Sequence, residues 1–267
     1  MNDVTRAARR ASRSDAMGWG ARLGLAARAS IYLLMGVLAL AVALGRSNSE
    51  TDQRGALTAV AQHAGGKVLL AVGFAGYALW RFSQVAFGVP VDGDGAGPRL
   101  KSLVRGLVYG SFAVTALTLV FSAGGAGSQA GQQQGLTAKV MAHTGGRYLV
   151  GAGGLVVAAV GAMMVYEGAT RAFEKYLRMS SMSPSTRSVV GKLGMVGTMA
   201  RGVVVGLAGV LVIEAAVTFR PEKARGLDGA LRTLAAQPYG QGLLVLTALG
   251  LLAFSAYGFA EARWYRT

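Results

Sequence analysis

The stretch Arg201-Gly202-Val203-Val204-Val205-Gly206 decides the fold, because Arg105-Gly106-Leu107-Val108-Tyr109-Gly110 repeats its frame: arginine, glycine, three residues, glycine. Each copy stands at the start of a long apolar run. Arg28-Ala29 opens a third such run, with Leu33 where the last glycine would fall. Every run is followed by a polar stretch, a short helix-like segment closing on glycine, and a second apolar run. Gly55-Ala56-Leu57…Gln62-His63-Ala64-Gly65-Gly66 and Gly229-Ala230-Leu231…Ala236-Gln237-Pro238-Tyr239-Gly240 align without a gap, and Gly135…Ala142-His143-Thr144-Gly145-Gly146 keeps the same spacing. From arginine to closing glycine the distances are 38, 41 and 39 residues. A repeat of this period means one supersecondary unit used three times.

Hydrophobic residues make up 52% of the chain and charged residues 15%, well below the roughly 25% charged residues of soluble proteins. Mean hydropathy is +0.43. The deficit falls in six apolar runs, near 23–45, 68–89, 103–123, 148–166, 202–219 and 243–260, each close to the ~20 residues that a membrane span requires. The reading is therefore an all-α integral membrane protein with six transmembrane helices. The second run holds Arg81 and Gln84, and Arg81 is expected to snorkel to the headgroups. The run at 23–45 is read as a retained span rather than a cleaved signal, because it is equivalent to the third and fifth runs. The chain contains no cysteine, which excludes disulfides, thiolate metal sites and a cysteine nucleophile.

With the N-terminal segment placed in the cytoplasm, eighteen lysines and arginines fall on that side and nine on the other. The positive-inside rule then puts both termini in the cytoplasm. The expected division is a basic cytoplasmic segment 1–22 and repeats at 23–90, 100–178 and 193–265. Two spans per repeat make the hairpins parallel, related by an axis along the membrane normal. Three of them imply a pseudo-threefold bundle.

With Gly229-Ala230-Leu231…Gln237-Pro238-Tyr239-Gly240, Leu243-Leu244 and Ala256-Tyr257-Gly258, and with Asp52-Gln53-Arg54-Gly55-Ala56-Leu57 in the first copy, the chain resembles the bacterial membrane family called domain of unknown function 1206. The resemblance runs from about residue 21 to 265. The middle copy departs most, with Leu136-Thr137 in place of Ala-Leu and a glutamine run before it. The resemblance implies fold and plasma-membrane location and carries no activity.

Several residues stand out. Gly106, Gly110, Gly202 and Gly206, one turn apart in pairs, offer flat faces for close helix packing. Arg28, Arg105 and Arg201 read either as headgroup-layer residues or as a ring capturing an anionic lipid or solute, since the guanidinium fork suits phosphate. Glu214 lies inside the fifth run, ~20 Å from Arg201 and ~9 Å from Arg220 at ~1.5 Å per residue. It reads either as a functional intramembrane acid partnered by Arg220, Lys223 or Arg225, or as a glutamate snorkelling outward or bonded within the bundle. His63 and His143 match Gln237 in position, so hydrogen bonding at a helix junction is expected there, and no metal site.

The segments 57–64, 136–142 and 230–236 read either as a cover over the outer mouth of the bundle or as simple re-entry elbows, with Asp228 as N-cap of the third. Glu167 is expected to pair with Arg171 on one helix face. Asp92-Gly93-Asp94-Gly95 starts like a calcium loop but lacks the later ligands. Trp19, Trp80 and Trp264 are expected as interfacial anchors.

The net charge of +15 flanks the spans and has no domain of its own, which argues against nucleic acid and for an anionic inner leaflet. No nucleophile–base pair, phosphate loop or redox motif occurs, so neither an enzyme nor a cofactor is expected. The leading expectation is a scaffold or accessory subunit binding anionic lipid and a protein partner, or a homo-oligomer. The alternative is a small transporter or channel along the pseudo-threefold axis.

Overall fold

A computed structural model describes residues 15–45, 64–87, 95–121 and 129–266. Within these the chain forms eight α-helices and one isolated β-bridge, between Leu177 and Tyr265. The first three helices are α1 (Asp15–Ala43), α2 (Ala64–Phe87) and α3 (Ala96–Phe121). A short α4 (Gln129–Met141) precedes α5 (Gly146–Ala169), and two 3-10 turns lead into α6 (Pro184–Thr218). A short α7 (Gly226–Ala235) precedes α8 (Gly240–Trp264). The acidic loop near Asp92, His63, the segment 57–63 and the N-terminal arginines through Arg13 lie outside the described residues.

Four helices are long and apolar enough to cross a membrane: Ala21–Ala43 of α1, and all of α5, α6 and α8. The chain reads accordingly as a membrane protein. Helices α2 and α3 coincide with the other two expected runs and are 24 and 26 residues long. Lys67 and Arg81 fall in α2, and Arg99, Lys101 and Arg105 in α3.

The most extensive helix contacts are α5 on α6, α8 on α1 and α2 on α3, followed by α6 on α8 and α1 on α2. Small residues make each contact close. A side chain at Gly24 would strike Tyr77 across the α1–α2 seam, and one at Gly36 would meet Leu252 at 2.8 Å across the α1–α8 seam. The Ser255 hydroxyl donates to the Ala29 carbonyl at 2.8 Å across that same seam. All four buried residues of α5 are glycines: Gly146, Gly154, Gly161 and Gly168. The last three recur every seven residues and bring α5 backbone-to-backbone against α6. A Cβ on Gly161 would lie 2.7 Å from the Gly202 carbonyl oxygen, and one on Gly202 would lie 2.8 Å from that of Gly161. The Gly161 Cβ would also meet the Gly206 amide nitrogen at 2.4 Å, whereas a Cβ on Gly206 would come no nearer to Gly161 than 3.9 Å from its Cα. Helices with such seams associate by van der Waals contact at short range, as in membrane interiors.

Helix α6 begins eighteen residues ahead of the expected run at 202. Ser183 caps it, its hydroxyl oxygen accepting from the Thr186 amide, and Pro184 follows where a proline suits the first helical turn. At ~1.5 Å per residue its 35 residues extend ~52 Å, more than the ~30 Å hydrocarbon core. The added half packs through Val190, Gly194 and Gly197 against Phe173, Phe254 and Tyr257.

The closing glycine of the repeat has a steric cause. Gly145 and Tyr239 adopt left-handed φ of 80° and 63° immediately before α5 and α8. The next residues, Gly146 and Gly240, turn under the preceding short helix so tightly that a Cβ would collide with the Val140 and Ala235 carbonyl oxygens. Their amides donate to the carbonyls of His143 and Gln237 at 2.9 and 2.7 Å. His143 Nδ1 lies 2.9 Å from the Lys139 carbonyl oxygen, and Gln237 Nε2 points to the Thr233 carbonyl at 3.5 Å. Both side chains thus serve the end of a short helix.

Of the short helices, α7 buries Ala230 and Leu231 against Ala39, Ala43, Val204, Ala208, Leu244 and Ala248. It starts before Asp228, so Asp228 is not its cap; it sits in the first turn and accepts from Arg232 Nε at 2.8 Å. Helix α4 begins seven residues ahead of the expected 136, because the glutamine run continues the helix upstream.

Candidate functional site

The bundle end that holds the N-terminal half of α1 and the C-terminal turns of α8 gathers arginines from four helices. Arg28 of α1 is buried and donates from Nη2 to Glu261 Oε2 of α8. Both side chains are about nine-tenths buried. The Arg28 guanidinium also lies 5.4 Å from the Phe254 ring. Arg201 of α6 stands against the same ring at 5.0 Å and against Tyr32 at 5.1 Å. One phenyl ring of α8 therefore seats two guanidinium groups, an arrangement favoured by the negative face of the π system.

Arg81 of α2 was expected to reach outward to the headgroups. It turns inward instead. It donates from Nε and Nη2 to the Tyr77 hydroxyl oxygen at 3.0 and 2.7 Å and from Nη1 to Gln84 Oε1 at 2.9 Å. Trp80 lies under its guanidinium at 4.4 Å. The inward turn has a local cause: Tyr77 and Gln84, four residues before and three after Arg81, lie on its own helix face and supply oxygen acceptors. Gln84 also accepts from the Ser102 hydroxyl of α3 at 3.1 Å. Trp80 is likewise buried rather than interfacial, edge-on to Tyr265 at 5.2 Å, whereas Trp19 is exposed.

Arg105 of α3 faces the same cluster, where the positive charges of Arg81, Arg28 and Arg201 all act against its own. Among the described residues, Arg105 and Arg201 have no ion pair or side-chain hydrogen bond to the protein. The Nε atoms of Arg28 and Arg201 are buried without a partner. Four arginines thus converge around one described carboxylate, Glu261. Tyr77, Tyr109 and Tyr257 fill the space between them, with Tyr77 and Tyr109 in edge contact at 4.5 Å. Such an excess of buried positive charge is costly unless an anion compensates it.

The structure thus brings the three repeat-start arginines together. Glu261 completes the group, and nothing in its local sequence marks it for that place. Glu214 is elsewhere: it is exposed near the far end of α6 and accepts from Lys223 Nζ. Gly106 sits on the α2–α3 seam, where a Cβ would approach the Phe82 ring at 2.9 Å, and Gly110 is looser, 4.0 Å from Ala78. Glu167 does not pair with Arg171, because α5 ends at Ala169 and Arg171 takes a left-handed φ of 55°. Glu167 instead accepts from Lys101 Nζ of α3 at 3.3 Å, and Arg171 lies near Glu174 at 3.9 Å.

Comparison with known proteins bears on the repeat. The family described as Domain of Unknown Function (DUF1206) matches three tandem regions, residues 23–88, 100–171 and 196–265. The chain is 31% identical over 246 residues to the Uncharacterized protein YxxB of Bacillus subtilis (strain 168), covering 90% of this chain and 88% of that protein. No solved structure matches. Three tandem matches and a relative of nearly equal extent mean that this chain belongs to the DUF1206 family, as three copies of its repeat.

Proposed function

We propose that this chain is a non-enzymatic accessory or scaffold protein of the bacterial plasma membrane that associates with anionic lipid and a protein partner. It crosses six times, with both termini in the cytoplasm and three parallel hairpins about a pseudo-threefold axis. The helix contacts support the arrangement. The three most extensive contacts, α2–α3, α5–α6 and α8–α1, each join the second long helix of one repeat to the first of the next, as a cyclic order requires. Lysines and arginines crowd the end that carries the arginine cluster, which suits an anionic inner leaflet.

The observation that carries the reading is the cluster itself: four converging arginines around one carboxylate. A packed core also favours binding over conduction, since Leu25, Met35, Phe74, Tyr77 and Leu251 are fully buried. The test is extraction of the full-length protein in polymer-bounded native discs, followed by lipid counting at low and high salt. Anionic lipids should be enriched over the bulk membrane. A selective solute flux in proteoliposomes would replace this reading with the transporter one.

A further inference from the structure

Helices α3 and α5 are the two long helices of the second repeat, yet they share no extensive interface. Each is instead packed on another repeat, α3 on α2 and α5 on α6. Across the space between them Lys101 Nζ reaches Glu167 Oε1 at 3.3 Å. Arg105 follows Lys101 by four residues on α3, so it lies on the same helix face one turn deeper. Arg201 of α6 faces α8 and α1 through Phe254 and Tyr32, and its charge acts on Arg105 across the cluster. Among the described residues, then, the flank between α3 and α5 is the side of the cluster that no extensive helix contact closes, with Lys101 at its rim.

Arg105 and Arg201 are the members of the cluster that have neither an ion pair nor a side-chain hydrogen bond among the described residues. Arg28 is held by Glu261, and Arg81 by Tyr77 and Gln84. Arg201 has its Nε buried and unpartnered. The helices bordering the opening are apolar and exposed, with Val104 and Leu107 on α3 and Leu155, Val156 and Met163 on α5. An anion that arrives by this route comes from the side of hydrocarbon, and it carries acyl chains.

We propose that the opening between α3 and α5 admits the headgroup of one anionic phospholipid, whose phosphate is held between Arg105 and Arg201, with Lys101 at the rim. Planar guanidinium groups bind phosphate oxygens bidentately. The acyl chains lie along α3 and α5. The proposal rests on the reading that α3 spans the membrane beside α5, and it narrows a general association with anionic lipid to a single built site.

The test is native mass spectrometry of the full-length protein titrated with phosphatidylglycerol, with phosphatidylcholine of the same chains, and with inorganic phosphate. One phosphatidylglycerol should be retained at concentrations at least tenfold below those that phosphatidylcholine needs. R105Q/R201Q should abolish that difference, and R187Q, at an exposed position of α6, should keep it. Equal retention of the two lipids by the wild type overturns both this proposal and the broader reading. A preference that survives in R105Q/R201Q overturns the site alone, and binding of inorganic phosphate without phosphatidylglycerol overturns the lipid source. Because R105Q/R201Q can misfold, the wild type is also photolysed with a phosphatidylglycerol bearing a diazirine in its headgroup. Adducts should map to peptides of α3 and α5; adducts concentrated on α1 and α8 would refute the route.

Discussion

Arg28 and Glu261, 233 residues apart, form an ion pair that joins the first long helix of the first repeat to the last helix of the third. Both side chains are about nine-tenths buried, so their charges interact in a weakly screening medium. Removing one partner of such a pair strands the other charge and costs about 3–5 kcal/mol. Here the two truncations differ in what they strand. Glu261→Gln leaves four arginines facing one another, and Arg28→Met leaves a carboxylate among three arginines. Glu261→Gln should be the more destabilising, and Arg28→Met/Glu261→Met should lose less than the two single losses together. Reversible unfolding in mixed micelles, followed by circular dichroism, measures all three. Equal and additive losses would show that the pair is not coupled.

The α5–α6 seam predicts a contrast between glycines of one helix. Gly161→Leu would drive a side chain into the Gly202–Gly206 backbone, whereas Gly153 has open space around it. Overpacking costs about 1–3 kcal/mol where neighbours can shift, and backbone cannot shift as side chains do. Gly161→Leu should lower the unfolding midpoint or abolish the folded protein. Gly153→Leu should leave both unchanged, as read by thermal unfolding in detergent. A comparable loss at Gly153 would mean that α5 is covered on a second side.

The repeat junctions predict opposite signs at adjacent positions. Tyr239 is exposed yet held at a left-handed φ of 63°, a conformation costing L-residues about 1–2 kcal/mol. Glycine relieves that cost but makes the unfolded chain more flexible. Tyr239→Gly should be neutral or stabilising by up to ~1 kcal/mol, by the same balance. Gly240→Ala, one residue later, should be strongly destabilising because its methyl meets the Ala235 carbonyl. Chemical unfolding of the two variants checks the pair of signs.

The sequence disclosed this junction and hid the ion pair, for reasons that lie in the physics of each. Spacing from arginine to closing glycine survives as a period because the steric demand at Gly146 and Gly240 is local. The three arginines were visible for the same reason, each at the same register of its own repeat. Glu261 found its partner only through α8 packing on α1, a contact between the two ends of the chain that no period encodes. Charge cost alone points Arg81 outward to the headgroups, but it does not account for acceptors on the same helix face. Tyr77 and Gln84 on its own helix offered a nearer solution. The first turns of α6 carry Arg187 and Lys192 and lie outside the apolar run, so hydropathy does not disclose them; the Ser183 cap and Pro184 that start them are local features of the chain.

Glu214 supplies the last prediction, and it concerns a residue that the sequence leaves open between a functional acid and a snorkelling or bundle-bonded one. An acid inside an apolar run is costly when it faces hydrocarbon, but this one lies about one turn from the end of α6, within reach of the headgroup layer, and meets Lys223, nine residues on. The two side chains keep 45% and 30% of their surface. Exposed pairs of this kind are worth about 0–1 kcal/mol. Glu214→Gln should therefore change stability by less than about 1 kcal/mol, and it should leave the preference for phosphatidylglycerol intact, because Arg105 and Arg201 lie toward the opposite end of the bundle. Parallel thermal unfolding and lipid titration of Glu214→Gln test both statements. Loss of lipid preference in this variant would mean that the two ends of the bundle are coupled, and the arginine cluster would no longer account for headgroup selection on its own.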